Sequence, residues 1–425
     1  MTNKSMAQST VFLVVMTAAA ISAAAEKPKI KPYPHYWMSV ATSSQNMPGM
    51  SPEMAGMASM FGGGSGFGPK RDLTLQLESP KTPPALPEAF HDIPPGQNMG
   101  KSLALVTPKA EKTQRSERDQ QPETKEKVKV RLLYYWGCGE TVGAGQPRVF
   151  DSEKSGFEDM ARIFKGRAPT LQTPPSAHKG WTYGEWPSAE ERMAIPKDAS
   201  LVGAHAIRGN YTVNIPFSLD AKRDFMPPVE FTSVNVTAAG ATRLEWKSIP
   251  TAIGYFATAV GSDGKGGDTI MWSASEVPEN GMALMDYLTP GDVHRFIRDK
   301  VVMDPSRTSC TVPPIYKNAQ GAMVQFIAYG EQLDIVHPPK PKDPKQIWQP
   351  EWSVKVRLKS TSMTPLGIDA GDDERRERSS SGKDREPQRQ NERNSDKKQS
   401  DDDNQGLNKA IGRGVGEGLR GLFGF

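Results

Sequence analysis

Cysteine is nearly absent from this chain: its 425 residues hold two, Cys138 and Cys310. Two thiols exclude a four-cysteine zinc site and a dense disulfide scaffold, and leave a single pair. Histidine is scarce too, and among His35, His91, His178, His205, His294 and His337 no two have the spacing of adjacent metal ligands. An excess of one charge is also missing. Lys+Arg 53 against Asp+Glu 49 gives a formal charge of +4, so no basic field calls for nucleic acid. No apolar run reaches the ~20 residues that a membrane-crossing helix requires. The glycine-rich stretch after Trp136 has no Gly-Lys-Ser/Thr, and in "GSDGKGGDT" Gly266 follows Lys265 where a P-loop needs a hydroxyl. Asp263 and Asp268 in that stretch have calcium-binding chemistry, but Asp-Gly between alternating strands is first a hairpin signal. Acidic residues are plentiful, yet no pair stands out. These absences leave no catalytic residue to name and no cofactor to expect.

What the chain does have is turn chemistry. An apolar share of 36% with 39 Gly and 36 Pro suits short strands and turns better than long helices, so a mainly β fold is expected. At the start, Lys4 precedes the apolar core "VFLVVMTAAAISAAA" (11–25), and Ala23 and Ala25 form an A-x-A pattern before Glu26. That is the pattern of a secretory signal peptide (1–25), and it predicts export to a periplasm or beyond. Residues 26–70, rich in Met, Gly and Pro, read as a flexible segment.

A β-rich domain is expected over 71–226. Leu73, Leu75 and Leu77 alternate with polar residues, and "KSLALVTP" (101–108) is a second strand. A charged linker covers 109–127. Val128, Val130, Leu132, Tyr134 and Trp136 then share one face, and "SLVGAHAI" and "YTVNIPFSL" flank a hairpin-like turn at 208–210. The pentapeptide Val-Lys-Val-Arg-Leu occurs both here and in "WSVKVRLKS" (352–360), which we read as strand convergence. In the second half, Thr289 and Pro290 look like the N-cap and first residue of a helix carrying Val293, Phe296, Ile297 and Val301. Residues 361–405 mix both charge signs without aromatics and read as a disordered tail. The last segment, 406–425, is glycine-rich, with Leu407, Ile411, Val415, Leu419 and Leu422 at near-helical spacing. It is either a frayed end or a short helix that forms on a membrane surface or partner.

The stretch 227–275 carries a family resemblance. It opens on Pro227-Pro228, holds a strand with Leu244-x-Trp246, bends at Pro250, and restarts a strand at Gly254-Tyr255. It resembles the first half of a fibronectin type III domain, and "GAMVQFIAYGEQ" (321–332) supplies a late strand. The resemblance implies a second β-sandwich over 227–360, interrupted by the helical insertion. The pieces "WGCGE" and "GAGQP" resemble uncharacterised exported proteins of proteobacteria, a likeness that implies no activity.

Three sets of residues are candidates for a role. In an oxidising compartment Cys138 and Cys310 are expected to form a disulfide that joins the two domains. The aromatics of "KGWTYGEWP", Trp181, Tyr183 and Trp186, either stack on a sugar or partner or pack over a sandwich edge. Met47, Met50, Met54 and Met57 offer soft thioethers for Cu(I), against a stripe for docking on an apolar partner; docking is preferred because no His or Cys ligand adjoins them. Together these point to an exported, non-enzymatic binding or scaffold protein of the bacterial envelope or surface. An envelope or surface protein is the expected partner, and residues 407–425 are a candidate membrane contact. The alternatives are a periplasmic copper-binding protein and a carbohydrate-binding module.

Overall fold

A computed structural model describes residues 30–46, 68–83, 85–108 and 129–366, with short breaks at 155, 157–158, 160–166, 189–190, 264–266, 280, 318–319 and 344. The leader, the four candidate copper-binding methionines, the 109–127 linker and residues 367–425 lie outside the described residues. The protein is mainly β. Among the described residues no helix is long and apolar enough to cross a membrane.

The principal sheet has nine strands. Along it run β6 (Arg148–Asp151), β5 (Arg131–Trp136), β13 (Thr269–Ser273), β12 (Ala252–Ser262), β15 (Gln320–His337), β16 (Trp352–Pro365), β1 (His35–Gln45), β2 (Lys70–Ser79) and β7 (Thr182–Trp186). Its strands come from both halves of the sequence, so the division expected at residue 227 does not separate one sheet from another. Two further sheets pack on its inner face. One holds β10 (Phe231–Val236), β11 (Thr242–Trp246) and β14 (Ser309–Val312); the other holds β4 (Ser102–Ala104), β3 (Ala89–Asp92), β8 (Gly203–Gly209) and β9 (Ile215–Leu219).

Two expectations need correcting here. Residues 35–45, read as flexible, form the strand β1, which is paired on both sides: parallel to β16 and antiparallel to β2. The cause is an alternation of Tyr36, Met38, Val40 and Thr42, all nearly solvent-free, which packs one face of the strand into the core. At the other end, β16 runs through residue 365, so the first residues assigned to the charged tail are ladder residues pairing with β1 and β15.

The inner core is continuous. Trp246 of β11 packs on Phe326 of β15 at 4.7 Å between ring centroids and on Tyr255 of β12 at 5.6 Å. At the other small sheet Tyr36 meets Phe217 at 6.1 Å. Between the two small sheets the chain crosses at 226–229, and the inner face there carries hydroxyl side chains. Thr42 donates to the Met226 carbonyl at 2.7 Å and Ser44 to the Val229 carbonyl at 3.0 Å, which satisfies the crossing backbone.

The helix α1 (Pro290–Arg298) forms as the sequence predicts, with the Thr289 hydroxyl accepting from the Asp292 N–H at 3.1 Å. Val293 and Phe296 press onto Phe256, Ile327 and Tyr329 on the outer face of the principal sheet. Covering this end leaves the outer face of β1, β2, β7 and β16 to other groups.

Candidate binding face

Cross-strand register decides what that outer face presents. Side chains directly opposite one another across a ladder share a face. One row reads Glu185, Gln76, Trp37, Lys355, Asp334, and the next reads Tyr183, Glu78, His35, Ser353. Beside them Ser39 pairs with Arg357, and Ala41 with Lys359. On β16 the inward set is Val354, Val356 and Leu358 and the outward set is Lys355, Arg357 and Lys359, a direct consequence of the two-residue period of "VKVRLK".

Two connected clusters result. In the first, the His35 ring stacks with Trp181 at 6.0 Å and lies 4.5 Å from Tyr33, while Trp181 also meets His178 at 5.1 Å. His35 Nδ1 is 2.8 Å from Ser353 Oγ, and burial lowers the His35 pKa against the pull of Glu78. Tyr183 donates to Glu185 at 2.6 Å and accepts from Gln76 at 3.2 Å. Burial, reinforced by the bond to Glu185, raises its phenol pKa.

The second cluster alternates cations and rings. The Lys355 ammonium and the Arg357 guanidinium each lie 5.1 Å from the Trp37 ring centre, and Arg357 and Lys359 each lie 4.3 Å from that of Tyr287. Asp334 binds Lys355 at 2.5 Å and Asp286 binds Lys359 at 2.7 Å. Cation–ring contacts of this kind are worth about 0.5–2 kcal/mol each, more where water is excluded.

The predicted aromatic set is split by the strand. Trp181 and Tyr183 belong to the outer face, but Trp186 is opposite Leu75, is 1% exposed and sits in the core. Its assignment as a contact residue is corrected: it lies three positions after Tyr183, and an odd spacing on a strand reverses the face. Trp37, Tyr287, His35 and the three cations were not singled out in the sequence. The alternation of basic residues with Val and Leu in "VKVRLK" was the available signal.

The expected disulfide forms between Cys138 and Cys310, with Cα atoms 5.1 Å apart. Cys138 follows β5 in the principal sheet and Cys310 lies in β14, so the bridge ties two facing sheets together. Around it, the Gly139 N–H donates to the Thr311 carbonyl at 2.8 Å and the Trp272 indole to the Gly137 carbonyl at 2.9 Å. The "WGCGE" stretch is therefore a turn fixed by its bonds. Of the two candidate calcium ligands, Asp268 pairs with Arg131 at 2.7 Å, and the described residues hold no metal-binding group of three or more His, Cys, Asp or Glu.

A concavity of about 780 Å³ lies near the start of β2, where Leu73, Trp186, Ile195 and Phe225 meet Lys70 and Lys197. In comparisons with known proteins, no family model matches the chain and no curated protein matches it.

Proposed function

We propose that this is an exported, non-enzymatic binding or scaffold protein of the bacterial cell envelope or surface. Its ligand meets the outer face of the nine-stranded sheet. The observation carrying this reading is the alternation of cations and rings Lys355, Trp37, Arg357, Tyr287, Lys359 on the part of the outer face beside α1. Tryptophan, tyrosine and arginine are the residue types that dominate recognition hot spots. Export is supported by the leader pattern and by a disulfide, which persists in oxidising compartments.

We also propose that residues 227–360 form a fibronectin type III-like sandwich. In its favour, β10-β11-β14 faces the consecutive strands β13-β12-β15-β16 across a core centred on Trp246. On this reading the remaining strands extend the second sheet sideways and give the module its broad face.

A carbohydrate ligand is the second reading, favoured by the half-buried Trp181 stacked beside His35 and Tyr33. One experiment tests the common claim. Tagged mature protein and its Trp181→Ala and Tyr287→Ala variants are used to capture envelope material. Capture by the parent, with loss in both variants at unchanged thermal midpoint, is the expected result. Equal capture by all three would remove the outer face from consideration.

A further inference from the structure

Strand β2 outruns its neighbour. It pairs with β1 from Lys70 to Glu78 but with β7 only from Leu75 to Ser79, because β7 ends at Trp186. Glu185 turns its own N–H and C=O away, to Val106, so Trp186 and Gly184 aim theirs at Leu75 and Leu77. The alternation of an antiparallel ladder then points the N–H and C=O of Leu73 and Arg71 past the end of β7. Among the described residues no group bonds these four.

This open edge borders the concavity of about 780 Å³. Lys70 to Thr74 line it along β2, and Met193, Ile195 and Lys197 line it from the stretch after β7. Backbone does not close the gap between them; the Arg71 guanidinium reaches across to the Ala199 carbonyl. An unpaired edge beside an apolar groove is a place where an extended segment adds as a further strand. Leu73, Trp186 and Phe225 call for apolar side chains on one face of that strand. Lys70 and Lys197, both exposed and without a carboxylate among the described residues, call for an acid beside them.

We propose that the chain's own residues 411–419 occupy this edge as an added strand. The sequence there is "IGRGVGEGL", in which every second residue is glycine. Read with a period of two, it places Ile411, Arg413, Val415, Glu417 and Leu419 on one face and glycine alone on the other. Its apolar members match Leu73, Trp186 and Phe225, and Glu417 matches the two lysines. Four glycines would cost a helix about 1 kcal/mol each, whereas glycine in a strand suits close approach to another backbone. The tether is long enough. The described chain ends at Leu366, off the same end of the sheet as the open edge, since Met363 is opposite Gln45 and Ser43 opposite Lys70. Strand spacings put the edge roughly 30 Å from Leu366, and a coil of the intervening length, residues 367–410, spans roughly 35 Å. A tether whose span matches the distance gives the highest effective concentration, which favours the chain's own tail over that of a second copy.

The test is amide hydrogen exchange, resolved to single residues, on the full mature chain and on two tail variants. Gly414→Pro with Val415→Pro removes a donor from the added strand in either register. Ile411→Asp with Val415→Asp keeps those donors but sets carboxylates against the apolar groove. The Arg71 and Leu73 amides are expected to exchange at least about tenfold faster in both variants than in the parent. The Leu75 and Leu77 amides, held by β7, should be unchanged, showing that the sheet remains folded. Equal Arg71 and Leu73 rates in the parent and either variant would overturn the proposal, and would mean that the edge is open or covered by another segment. Faster exchange throughout the sheet would overturn it as well, by placing the tail in the core rather than at one edge. Protection in the parent that rises with protein concentration would replace the chain's own tail with that of a second copy.

Discussion

His91 and His205 are joined by a direct hydrogen bond, Nε2 to Nδ1 at 2.9 Å, inside the core between the small four-stranded sheet and β1. The chain continues at both ends: Tyr36 Oη is 2.9 Å from His91 Nδ1, and His205 Nε2 is 2.7 Å from the Leu201 carbonyl. That carbonyl can only accept, so His205 carries its proton on Nε2 and accepts at Nδ1 from His91, which in turn accepts from the Tyr36 hydroxyl. Every group is satisfied only with both rings neutral. A second proton on His205 would make its Nδ1 a donor and force the His91 proton onto Nδ1, which takes from the Tyr36 hydroxyl the acceptor it now has.

Stability should therefore depend on pH. Burial, together with the His205 charge, lowers the His91 pKa well below its ordinary value of 6.5, and burial lowers that of His205. The folded state excludes protons that the unfolded state accepts. The contribution is thus complete above about 6.5, the ordinary histidine pKa, and is lost as pH falls below it. Each excluded proton tilts the unfolding free energy by about 1.4 kcal/mol per pH unit. Urea midpoints measured from neutral to mildly acid pH should fall, and His91→Gln should flatten the slope. A flat parent profile would show that the pair is protonated or open.

The disulfide should be a major source of stability. It closes a separation of 172 residues, for which the chain-entropy relation gives up to about 5 kcal/mol. Reduction, or the double change Cys138→Ala and Cys310→Ala, should lower the urea midpoint without altering the β-sheet circular dichroism, because the Trp246 core does not depend on the bridge. Thiol titration of the denatured oxidised protein should find no free thiol, and two after reduction. Two thiols before reduction would mean that the turn after β5 is held by its hydrogen bonds alone.

How much of this was legible in the sequence depended on the range of each interaction. The helix cap at Thr289, the alternation at Leu73, Leu75 and Leu77 and the pairing of the only two cysteines are local patterns or exclusions, and each appears as expected. Strand β1 was concealed because Trp37 lies on the outer face amid Tyr36 and Met38, so the hydrophobic alternation is blurred in "HYWMSV". Its partner β16 lies 318 residues away, and no local signal specifies a pairing of that span. Of the outer cluster, Trp181 and Tyr183 were named from the sequence, whereas Arg357 and Tyr287 meet only through the fold.

Close approach of the chain to itself makes a third prediction. A Cβ on Gly330 would lie 2.6 Å from the Met226 sulfur, 2.8 Å from Leu358 Cβ and 3.1 Å from the Leu358 carbonyl oxygen. Met226 belongs to the crossing between the two small sheets, and Leu358 to the neighbouring strand β16, so neither side is free to yield. Gly330→Ala should cost about 1–3 kcal/mol, the range for overpacking a filled core. Chemical denaturation measures it, and an unchanged midpoint would mean that the crossing segment relaxes without penalty.

The two tryptophans of "KGWTYGEWP" provide the sharpest contrast, because one short stretch sends them to opposite environments. Trp186 is 1% exposed among Leu75 and its core neighbours, and truncating it leaves a cavity the surrounding strands cannot fill. Trp186→Ala should lower stability by about 3–5 kcal/mol. Trp181 sits outside the core, half-buried against the His35 and His178 rings, so Trp181→Ala should cost about 1 kcal/mol or less, the scale of one aromatic contact. Ligand capture should invert the order. Trp181→Ala should reduce it sharply at a thermal midpoint near the parent's, while any loss in Trp186→Ala should follow its unfolded fraction and be recovered on cooling toward its stability maximum. Denaturation midpoints and capture measured side by side on the two variants decide the matter. If Trp181→Ala proves as destabilising as Trp186→Ala, the outer cluster is packing, and the ligand must be sought elsewhere on the molecule.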